Sequence, residues 1–342
     1  MPTTPVLPTL PRDSVTSSGW VTTQFILAGV VWGASFLFMK VALTGISPAQ
    51  VAWTRIILGA LTLGALVLFR REVLSRSVRV WAHLLVLGLT FCVIPFLLFS
   101  WAQQHVTSGV ASIFNATTPI MTAIMAWLVF RVEKLKVLQV IGIGVGILGI
   151  MVIIAPWQGM SFDGSLVAEI AILGATASYG FSLAYMRRFV SHTGMSALAF
   201  TFGYVAMAGV VMAILTPFLV LTPVRLDAPI VVSLVLLGCL GTGIAYVWNQ
   251  NTVRAWGPTR ASTVTYITPV VGVGLGILIL GETITWNEPV GALVVFLGIL
   301  LAQDRLQVRR RKDEGTAADA PVPSPAAAGG LSPAAGRPAG RA

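Results

Sequence analysis

Aromatic and hydroxyl side chains occupy matching places in the long apolar stretches of this 342-residue sequence. Trp32 and Ser35 in the first stretch correspond to Tyr179 and Ser182 in the sixth, at a shift of 147 residues. Aromatic surfaces combined with a few neutral hydrogen-bonding groups are typical of a pocket that binds a small amphipathic molecule. We therefore predict that these four residues line a binding cavity and take part in no covalent step.

A second matched pair, Trp101 and Trp248, lies near the ends of two other apolar stretches and again differs by 147 positions. Asn249 follows Trp248 and adds a polar group at this place. Tryptophan near the end of a membrane span commonly belongs to the interfacial aromatic belt. Two interpretations therefore stay open: Trp248 and Asn249 lie either at the membrane interface or in the lining of the cavity.

Prolines interrupt two further stretches at related positions, Pro119 and Pro269, shifted by 150 residues. A proline within a helix removes one backbone hydrogen bond and bends the axis. We predict that the carbonyls freed near residues 115 and 265 face either a neighbouring helix or a cavity. The kink itself serves either helix packing or gating. The polar residues beside them, which we assign to the cavity lining, are Asn115, Thr118, Thr265 and Tyr266.

Ionisable residues within the apolar stretches carry a high energetic cost and need a reason. Arg55 lies seven residues inside the second stretch, about 10 Å from its outer end at 1.5 Å per residue. It either extends to the interface or holds a substrate carboxylate. Lys40 is predicted to extend to the outer interface. Glu169 follows the segment 163–165 (Asp-Gly-Ser) and either complements the helix dipole or couples transport to protons.

Motifs for covalent, metal or nucleotide chemistry are absent from the sequence. There is no G-x-x-x-x-G-K-[ST] phosphate loop, no H-E-x-x-H or G-x-S-x-G pattern and no Cys/His zinc spacing. The two cysteines, Cys92 and Cys239, lie in apolar stretches and are predicted to act as small apolar residues. We therefore predict no catalytic residue, no metal site and no cofactor, and any transport must use a gradient.

The composition places the chain in a membrane. Charged residues make up 10% and hydrophobic residues 56% of it, whereas about a quarter of a soluble domain is charged. Backbone groups in lipid must be paired internally, and about 20 apolar residues cross the hydrocarbon core as a helix. We predict an all-α integral membrane protein with ten transmembrane helices, at residues 21–43, 49–69, 81–102, 109–130, 137–155, 165–186, 197–221, 229–250, 260–281 and 286–303.

Two polar tails flank the predicted helices. Residues 1–19 are rich in Pro, Thr and Ser, and residues 304–342 begin with a basic cluster that is followed by an Ala/Pro/Gly-rich stretch. Both tails have too few large apolar residues to pack a core and are predicted to be disordered. The basic cluster lies beside a membrane helix, so it and the +10 net charge indicate contact with anionic lipid and not with nucleic acid.

The loop charges predict the orientation of the bundle. Only one basic residue, Arg225, occurs in the loops on one side, which are 44–48, 103–108, 156–164, 222–228 and 282–285. The positive-inside rule then places the opposite loops and both termini in the cytoplasm, in a multi-pass protein of the plasma membrane. The halves 20–155 and 165–303 each contain five predicted helices. Because five is odd, the second half enters from the other side and the repeat is inverted.

Glycines at helical spacing form surfaces of small residues in the fifth and ninth stretches. They are Gly142, Gly146, Gly149, Gly272 and Gly276. Such surfaces let helix backbones approach closely in lipid, where no hydrophobic drive brings helices together. We predict close helix contacts at these glycines, either within the monomer or across a homodimer.

Several motifs together resemble the ten-helix EamA-type carriers of the drug/metabolite transporter superfamily. The first copy carries W-G-A-S-F at 32–36 and A-S-I-F-N-A-T-T-P at 111–119, and the second carries A-S-T-V-T-Y-I-T-P at 261–269 and Gly-Glu at 281–282. The first copy departs from the family's Leu-Gly-Glu ending, with Arg-Val-Glu at 131–133. The resemblance implies two inverted five-helix repeats around a central cavity and export of amino acids, other small metabolites or toxic amphipaths.

An inverted pair of halves can form two mirror-related states, which is what a carrier with alternating access requires. We therefore predict a secondary, gradient-driven transporter that exports a small amphipathic metabolite, such as an amino acid or a toxic compound. One alternative is an intramembrane enzyme acting on a lipid-linked substrate, which would have to use Glu169, His83 and Arg55 from different depths. Another is a channel or sensor, which does not require two mirror-related states.

Overall fold

The computed structural model describes residues 18–131, 135–155, 157, 165–190, 194–219, 221–256 and 261–302. Within these ranges the regular structure is helical and no strand occurs. The predicted tails, 1–19 and 304–342, lie outside the described residues except for positions 18 and 19, where the first helix begins.

Ten helical segments follow in the predicted order. They are α1 (Ser18–Ala42), α2 (Pro48–Phe69), α3 (Val78–Ala102), α4 (Ser108–Leu128), α5 (Val137–Ile154), α6 (Ser165–Val190), α7 (Ala197–Leu219), α8 (Ala228–Trp256), α9 (Thr263–Leu280) and α10 (Asn287–Ala302). Among the described residues, nine of these segments are long and apolar enough to cross a membrane, and α10 is a shorter apolar helix. The predicted all-α membrane fold is confirmed.

Short polar motifs set where several helices begin. In front of α2, the Ser47 hydroxyl accepts from the backbone N–H of Gln50 at 3.3 Å, and Gln50 Oε1 accepts from the Ser47 N–H at 2.9 Å. This capping box satisfies two N–H groups that lack helical partners, and Pro48 suits the first helical position. Thr107 and Asp227 cap α4 and α8 with single side-chain bonds. The polar loops therefore help to fix the helix bounds.

Equivalent helices of the two halves make equivalent contacts across the molecule. A Cβ atom added to Gly33 in α1 would lie 2.6 Å from the Val271 side chain in α9. A Cβ atom added to Gly180 in α6 would lie 2.6 Å from the backbone of Met121 in α4. The two glycines are 147 positions apart, so the first helix of each half crosses the fourth helix of the other. The repeat in the sequence is thus an inverted repeat in space.

The fifth helices of the two halves, α5 and α10, pack backbone to backbone. Added Cβ atoms would lie 2.6 Å from the Gly298 carbonyl oxygen at Gly142, and 2.9 Å from the Gly291 carbonyl oxygen at Gly149. Such contacts are open only to residues without a side chain. The close contacts predicted for these two glycines are confirmed, and they are made within one chain.

Candidate functional site

Two helices at equivalent places in the halves contain π-helical segments, Leu89–Val93 in α3 and Leu236–Ile244 in α8. The first residues of the two segments are 147 positions apart, which is the shift of the repeat. Segments of π-helix are rare and occur frequently at functional sites. Their pairing by symmetry directs attention to the helices that contact them.

Helix α1 is hydrogen-bonded to the π segment of α8. The Trp32 indole Nε1–H donates to the Gly241 carbonyl oxygen at 3.0 Å. The Ser35 hydroxyl donates to the Val31 carbonyl oxygen at 2.9 Å, and a Cβ atom added to Gly241 would lie 3.2 Å from Ser35 Oγ. Glycine at position 241 therefore allows the two helices to approach closely beside two of the predicted lining residues.

The symmetry-related crossing of α6 and the π segment of α3 is also polar. The Ser178 hydroxyl donates to the Thr90 carbonyl oxygen at 2.6 Å, and the Ser182 hydroxyl donates to Thr90 Oγ1 at 2.6 Å. Ser182 is fully buried, and its hydroxyl also lies 2.9 Å from the Ser178 carbonyl oxygen. The structure thus gives Ser182 a role in joining two helices.

Arg55 is buried in the interior and does not extend to the interface. Its Nε–H donates to Thr242 Oγ1 in the π segment of α8 at 2.9 Å. Its Nη1 lies 3.8 Å from the Met39 sulfur, and its guanidinium carbon lies 3.9 Å from the centroid of the Phe96 ring. Arg55 is only 6% exposed. These contacts come from three other helices, with Thr242 in α8, Met39 in α1 and Phe96 in α3.

The charge of Arg55 is incompletely compensated. Removing an ion from water costs several kcal/mol, and a desolvated cation–π contact contributes about 2 kcal/mol. Among the residues that the structure describes, no Asp or Glu pairs with the guanidinium, whose contacts are the hydroxyl, sulfur and ring already given. A buried cation with no anion is a costly feature that calls for a functional reason.

Aromatic rings from five helices adjoin this region, and we call them the aromatic cluster: Trp32, Phe91, Tyr179, Tyr204 and Tyr246. Trp32 meets Tyr246 edge to face at a centroid distance of 5.5 Å. Phe91 lies 5.2 Å from Tyr179, 5.9 Å from Tyr204 and 5.7 Å from Tyr246. Trp32, Phe91 and Tyr179 are only partly buried although they lie near the middle of their helices.

The prolines coincide with breaks in α4 and α9. Helix α4 is interrupted between Asn115 and Thr118, directly before Pro119, and α9 begins as a 3-10 turn over Ser262–Tyr266. The Asn115 carbonyl oxygen accepts from the Thr118 hydroxyl at 2.7 Å. A hydroxyl of the same helix therefore takes one of the two acceptor positions of this carbonyl, and whether the carbonyl faces a neighbouring helix or a cavity stays a prediction.

The same arrangement occurs in the second half, where the Thr265 carbonyl oxygen accepts from the Thr268 hydroxyl at 3.0 Å. The break in α9 places Tyr266 against the ring of Phe296 in α10, at 5.6 Å. Pro269 is buried, whereas Thr265 is partly buried. The breaks are therefore symmetric, although their side chains differ.

The predicted lining residues fall into separate places. Trp32, Ser35, Arg55 and Tyr179 come together around the aromatic cluster. Trp248 packs beside Ala28, Ala245 and Val264, and Asn249 next to it is partly buried. Glu169 is partly buried and is the fifth residue of α6, so it lies in the second turn of this helix. The remaining predicted residues lie at the breaks of α4 and α9 or, for Ser182, at the crossing of α6 and α3.

Several residues of the site were missed from the sequence. Thr242, Tyr246, Phe96 and Met39 contact Arg55 or the aromatic cluster. Of these four, only Met39 has the same residue type at the 147-residue shift, in Met186. The available signal is the run of glycines over 238–243, which is unusual inside an apolar span. Glycine in such a run indicates close helix contact, but not which side chain approaches.

The model of the EamA-like transporter family matches residues 20–155 and again residues 166–303. The chain belongs to this family. The EamA-like transporter thus contains two matches to the family model, one for each half of the bundle. Its nine long apolar helices, counted over the described residues, make it a multi-pass membrane protein.

Several relatives resemble the EamA-like transporter over most of its length. An uncharacterized transporter of Bacillus subtilis, YoaV, is 25% identical over 277 residues, which are 80% of this chain and 92% of the relative. The inner membrane transporter YedA of Escherichia coli, also uncharacterized, is 27% identical over 80% of this chain and 87% of its own. A probable amino-acid metabolite efflux pump of Salmonella typhimurium is 25% identical over 83% of this chain and 95% of its own.

A solved crystal structure shows the same fold. It has a TM-score of 0.61 to the EamA-like transporter at 17% identity, and the match covers 83% of this chain and 98% of the other. At this identity the likeness concerns the fold and not the substrate.

A carboxylate joins the two halves of the EamA-like transporter where α9 ends and α4 begins. Gly281 ends α9 with φ 64°, a left-handed conformation that favours glycine. Glu282 follows and accepts from the Ser108 N–H at 2.7 Å, from the Ser108 hydroxyl at 2.8 Å and from the Gly109 N–H at 3.1 Å. These N–H groups begin α4 and lack helical partners, so an anion suits them. We call this contact the Glu282 link.

Lys40 holds the loop on the other side of the α4 start. Its ammonium donates to the Gln103 carbonyl oxygen at 2.7 Å and to the Val106 carbonyl oxygen at 2.9 Å. Lys40 is partly buried, and both of its partners lie in the loop that follows α3, so its extension to the outer interface stays a prediction. It binds the carbonyl groups that follow the C-terminal end of α3, where a cation is favoured.

Proposed function

We propose that this EamA-like transporter is a secondary, gradient-driven carrier that exports a small amphipathic metabolite by alternating access. The observation that carries the proposal is the aromatic cluster, which both inverted halves build together. Halves related in this way can form inward-open and outward-open states of similar energy around one site. The relative that is named a probable amino-acid metabolite efflux pump supports both export and a small substrate.

The proposed cavity combines the site in the structure with the residues predicted from the sequence. Trp32, Ser35, Arg55 and Tyr179 are proposed to contact the substrate directly. The breaks of α4 and α9 are proposed to move during transport, because a helix without continuous backbone bonds bends most easily at the break. The further residues proposed to line the cavity in some stage of the cycle are Asn115, Thr118, Pro119, Ser182, Trp248, Asn249, Thr265, Tyr266 and Pro269.

Counterflow in proteoliposomes tests the carrier function. Full-length protein is reconstituted, the vesicles are loaded with unlabelled amino acids, and uptake of labelled L-phenylalanine or L-leucine is followed. A carrier is expected to accumulate label transiently above its external concentration, whereas a channel does not. The absence of counterflow across an amino-acid and metabolite panel would contradict the proposal.

Substitutions test the cavity. Alanine at Trp32, Asn115, Tyr179 or Tyr266 is expected to lower counterflow about tenfold or to change the preferred substrate, because each removes a ligand-facing group or a side chain at a moving break. Trp20→Ala is the matched control, since Trp20 is 50% exposed at the start of α1. If all four substitutions behave like the control, the cavity is wrongly assigned.

The orientation is proposed from the loop charges, with both termini in the cytoplasm of a plasma-membrane protein. Green fluorescent protein fused after the last residue is expected to fluoresce, because exported copies of it do not mature. Alkaline phosphatase inserted in the loop 44–48 is expected to be active, because it requires the oxidising outer side. The reverse pattern would show that the bundle is inserted the other way round.

A further inference from the structure

We infer that Arg55 binds the carboxylate of the transported molecule, so that the substrate is a small monocarboxylate with an apolar or aromatic body. The inference rests on the proposed carrier function, because it names what the central site would hold. It starts from the guanidinium group, which is buried in the bundle and lacks an anionic partner.

The first step is the count of donors. An arginine side chain presents five N–H groups and is always charged in a protein. The Arg55 Nε–H is bonded to Thr242, and Nη1 has only the soft sulfur of Met39. The Nη2 group has no hydrogen-bond partner in the part of the chain that the structure describes. Both terminal nitrogens are therefore free to bind two oxygens of one carboxylate, the preferred geometry of this pair.

The second step is the space beside these nitrogens. A Cβ atom added to Gly241 would lie 4.0 Å from Arg55 Nη2 and 3.2 Å from Ser35 Oγ. Glycine therefore places no side chain beside Nη2 and beside the Ser35 hydroxyl, whose own proton is donated to the Val31 carbonyl oxygen. Trp32 is bonded to the same glycine and begins the aromatic cluster. Polar recognition and an apolar surface are therefore adjacent.

The third step excludes other ligand classes by charge. The residues of the aromatic cluster are neutral, so Arg55 sets the sign of the site and repels organic cations. A neutral amphipath would leave the buried charge unpaired in the bound state. A phosphate dianion would require a second cation, and Lys40 is already bound to two backbone carbonyls. A single negative charge on an apolar body fits one guanidinium.

The binding test uses pairs of probes that differ in one charge. The probes are 3-phenylpropionate, indole-3-acetate, 4-methylvalerate and L-phenylalanine, each with its carboxamide, and the melting temperature of the purified full-length protein is measured with each. A ligand that binds only the folded state raises this temperature. At least one carboxylate is expected to bind the native protein at least tenfold more tightly than its amide. A panel in which no carboxylate exceeds its amide overturns the inference.

Three variants show whether Arg55 is responsible. Arg55→Met is expected to abolish the preference for the carboxylate, and Arg55→Lys to weaken it about tenfold, because an ammonium lacks the planar pair of donors. Arg225→Met removes an exposed charge and is expected to change nothing. Without ligand, Arg55→Met should melt no lower than the native protein, because it removes an unpaired buried charge. A large loss of stability, or an unchanged preference, overturns the inference.

Counterflow separates this inference from the proposed function. If a carboxylate binds through Arg55 but shows no counterflow, the carrier function fails and the anion site stands. If amides or amines show counterflow equally in native protein and Arg55→Met, the carrier function stands and the anion site fails. Carboxylate counterflow that is lost in Arg55→Met supports both.

Discussion

Replacement of Glu282 by alanine is expected to open the end of the molecule at which α9 ends and α4 begins. The Glu282 carboxylate accepts three hydrogen bonds from Ser108 and Gly109, and Ser108 is fully buried. Hydrogen bonds to charged groups contribute about 1.5–3 kcal/mol each, and their sum is less than additive. A loss of about 3 kcal/mol from the described state would change its population relative to an open state about a hundredfold.

The opening can be measured with a single cysteine at Val110, which is 7% exposed behind the Glu282 link. In a Cys92→Ala, Cys239→Ala background, an impermeant maleimide added outside right-side-out vesicles is expected to label Val110→Cys at least tenfold faster when Glu282 is alanine. Glu288→Ala is the matched control, because its carboxylate accepts from the exposed Thr285, whose hydroxyl lies 3.2 Å away, and makes no bond to α4 among the described residues. Equal labelling with and without Glu282 would show that the link does not close this end.

The helices and their inverted order could be predicted because the membrane restricts the choices. Lipid forces the apolar stretches into helices, and an odd number of helices in each half forces inversion. The contact of Gly33 in α1 with α9 and that of Gly180 in α6 with α4 are then the same helix crossing, made once in each half. These features depend on composition and repetition, which are visible without knowledge of any side-chain contact.

The site could be predicted only in part, because its decisive contacts are tertiary. The sequence shows that Arg55 is energetically costly within an apolar span. Its bond to Thr242, however, depends on the π segment of α8, which no local sequence pattern predicts. The Asn115 carbonyl was expected to face a neighbouring helix or a cavity, and the donor that the structure gives it is the Thr118 hydroxyl of the same helix. The Lys40 ammonium binds the carbonyl oxygen of Gln103, a residue 63 positions later in the sequence. For Arg55 and Lys40, a partner distant in the sequence decides which contact the charged group makes.

Opposite effects on stability are expected from the same substitution at two neighbouring glycines of α5. A Cβ atom at Gly142 would contact the backbone nitrogen of Ala302 and lie 2.6 Å from the Gly298 carbonyl oxygen, whereas one at Gly144 would meet nothing within 4 Å. Gly142→Ala is therefore expected to destabilise the bundle by about 1–3 kcal/mol or more, the usual cost of overpacking. Gly144→Ala is expected to be neutral or stabilising, because alanine favours a helix over glycine by about 1 kcal/mol.

Substitution of a third glycine of α5, Gly146, is expected to have an intermediate effect on stability. At Gly146 an added Cβ atom would contact the terminal methyl of Ile120, which can rotate away, so Gly146→Ala should cost less than Gly142→Ala. Melting of the detergent-solubilised protein, followed by size-exclusion chromatography after heating, is expected to rank the variants in the order Gly142→Ala lowest, Gly146→Ala next and Gly144→Ala highest. If Gly142→Ala and Gly144→Ala melt alike, α5 and α10 do not pack through their backbones.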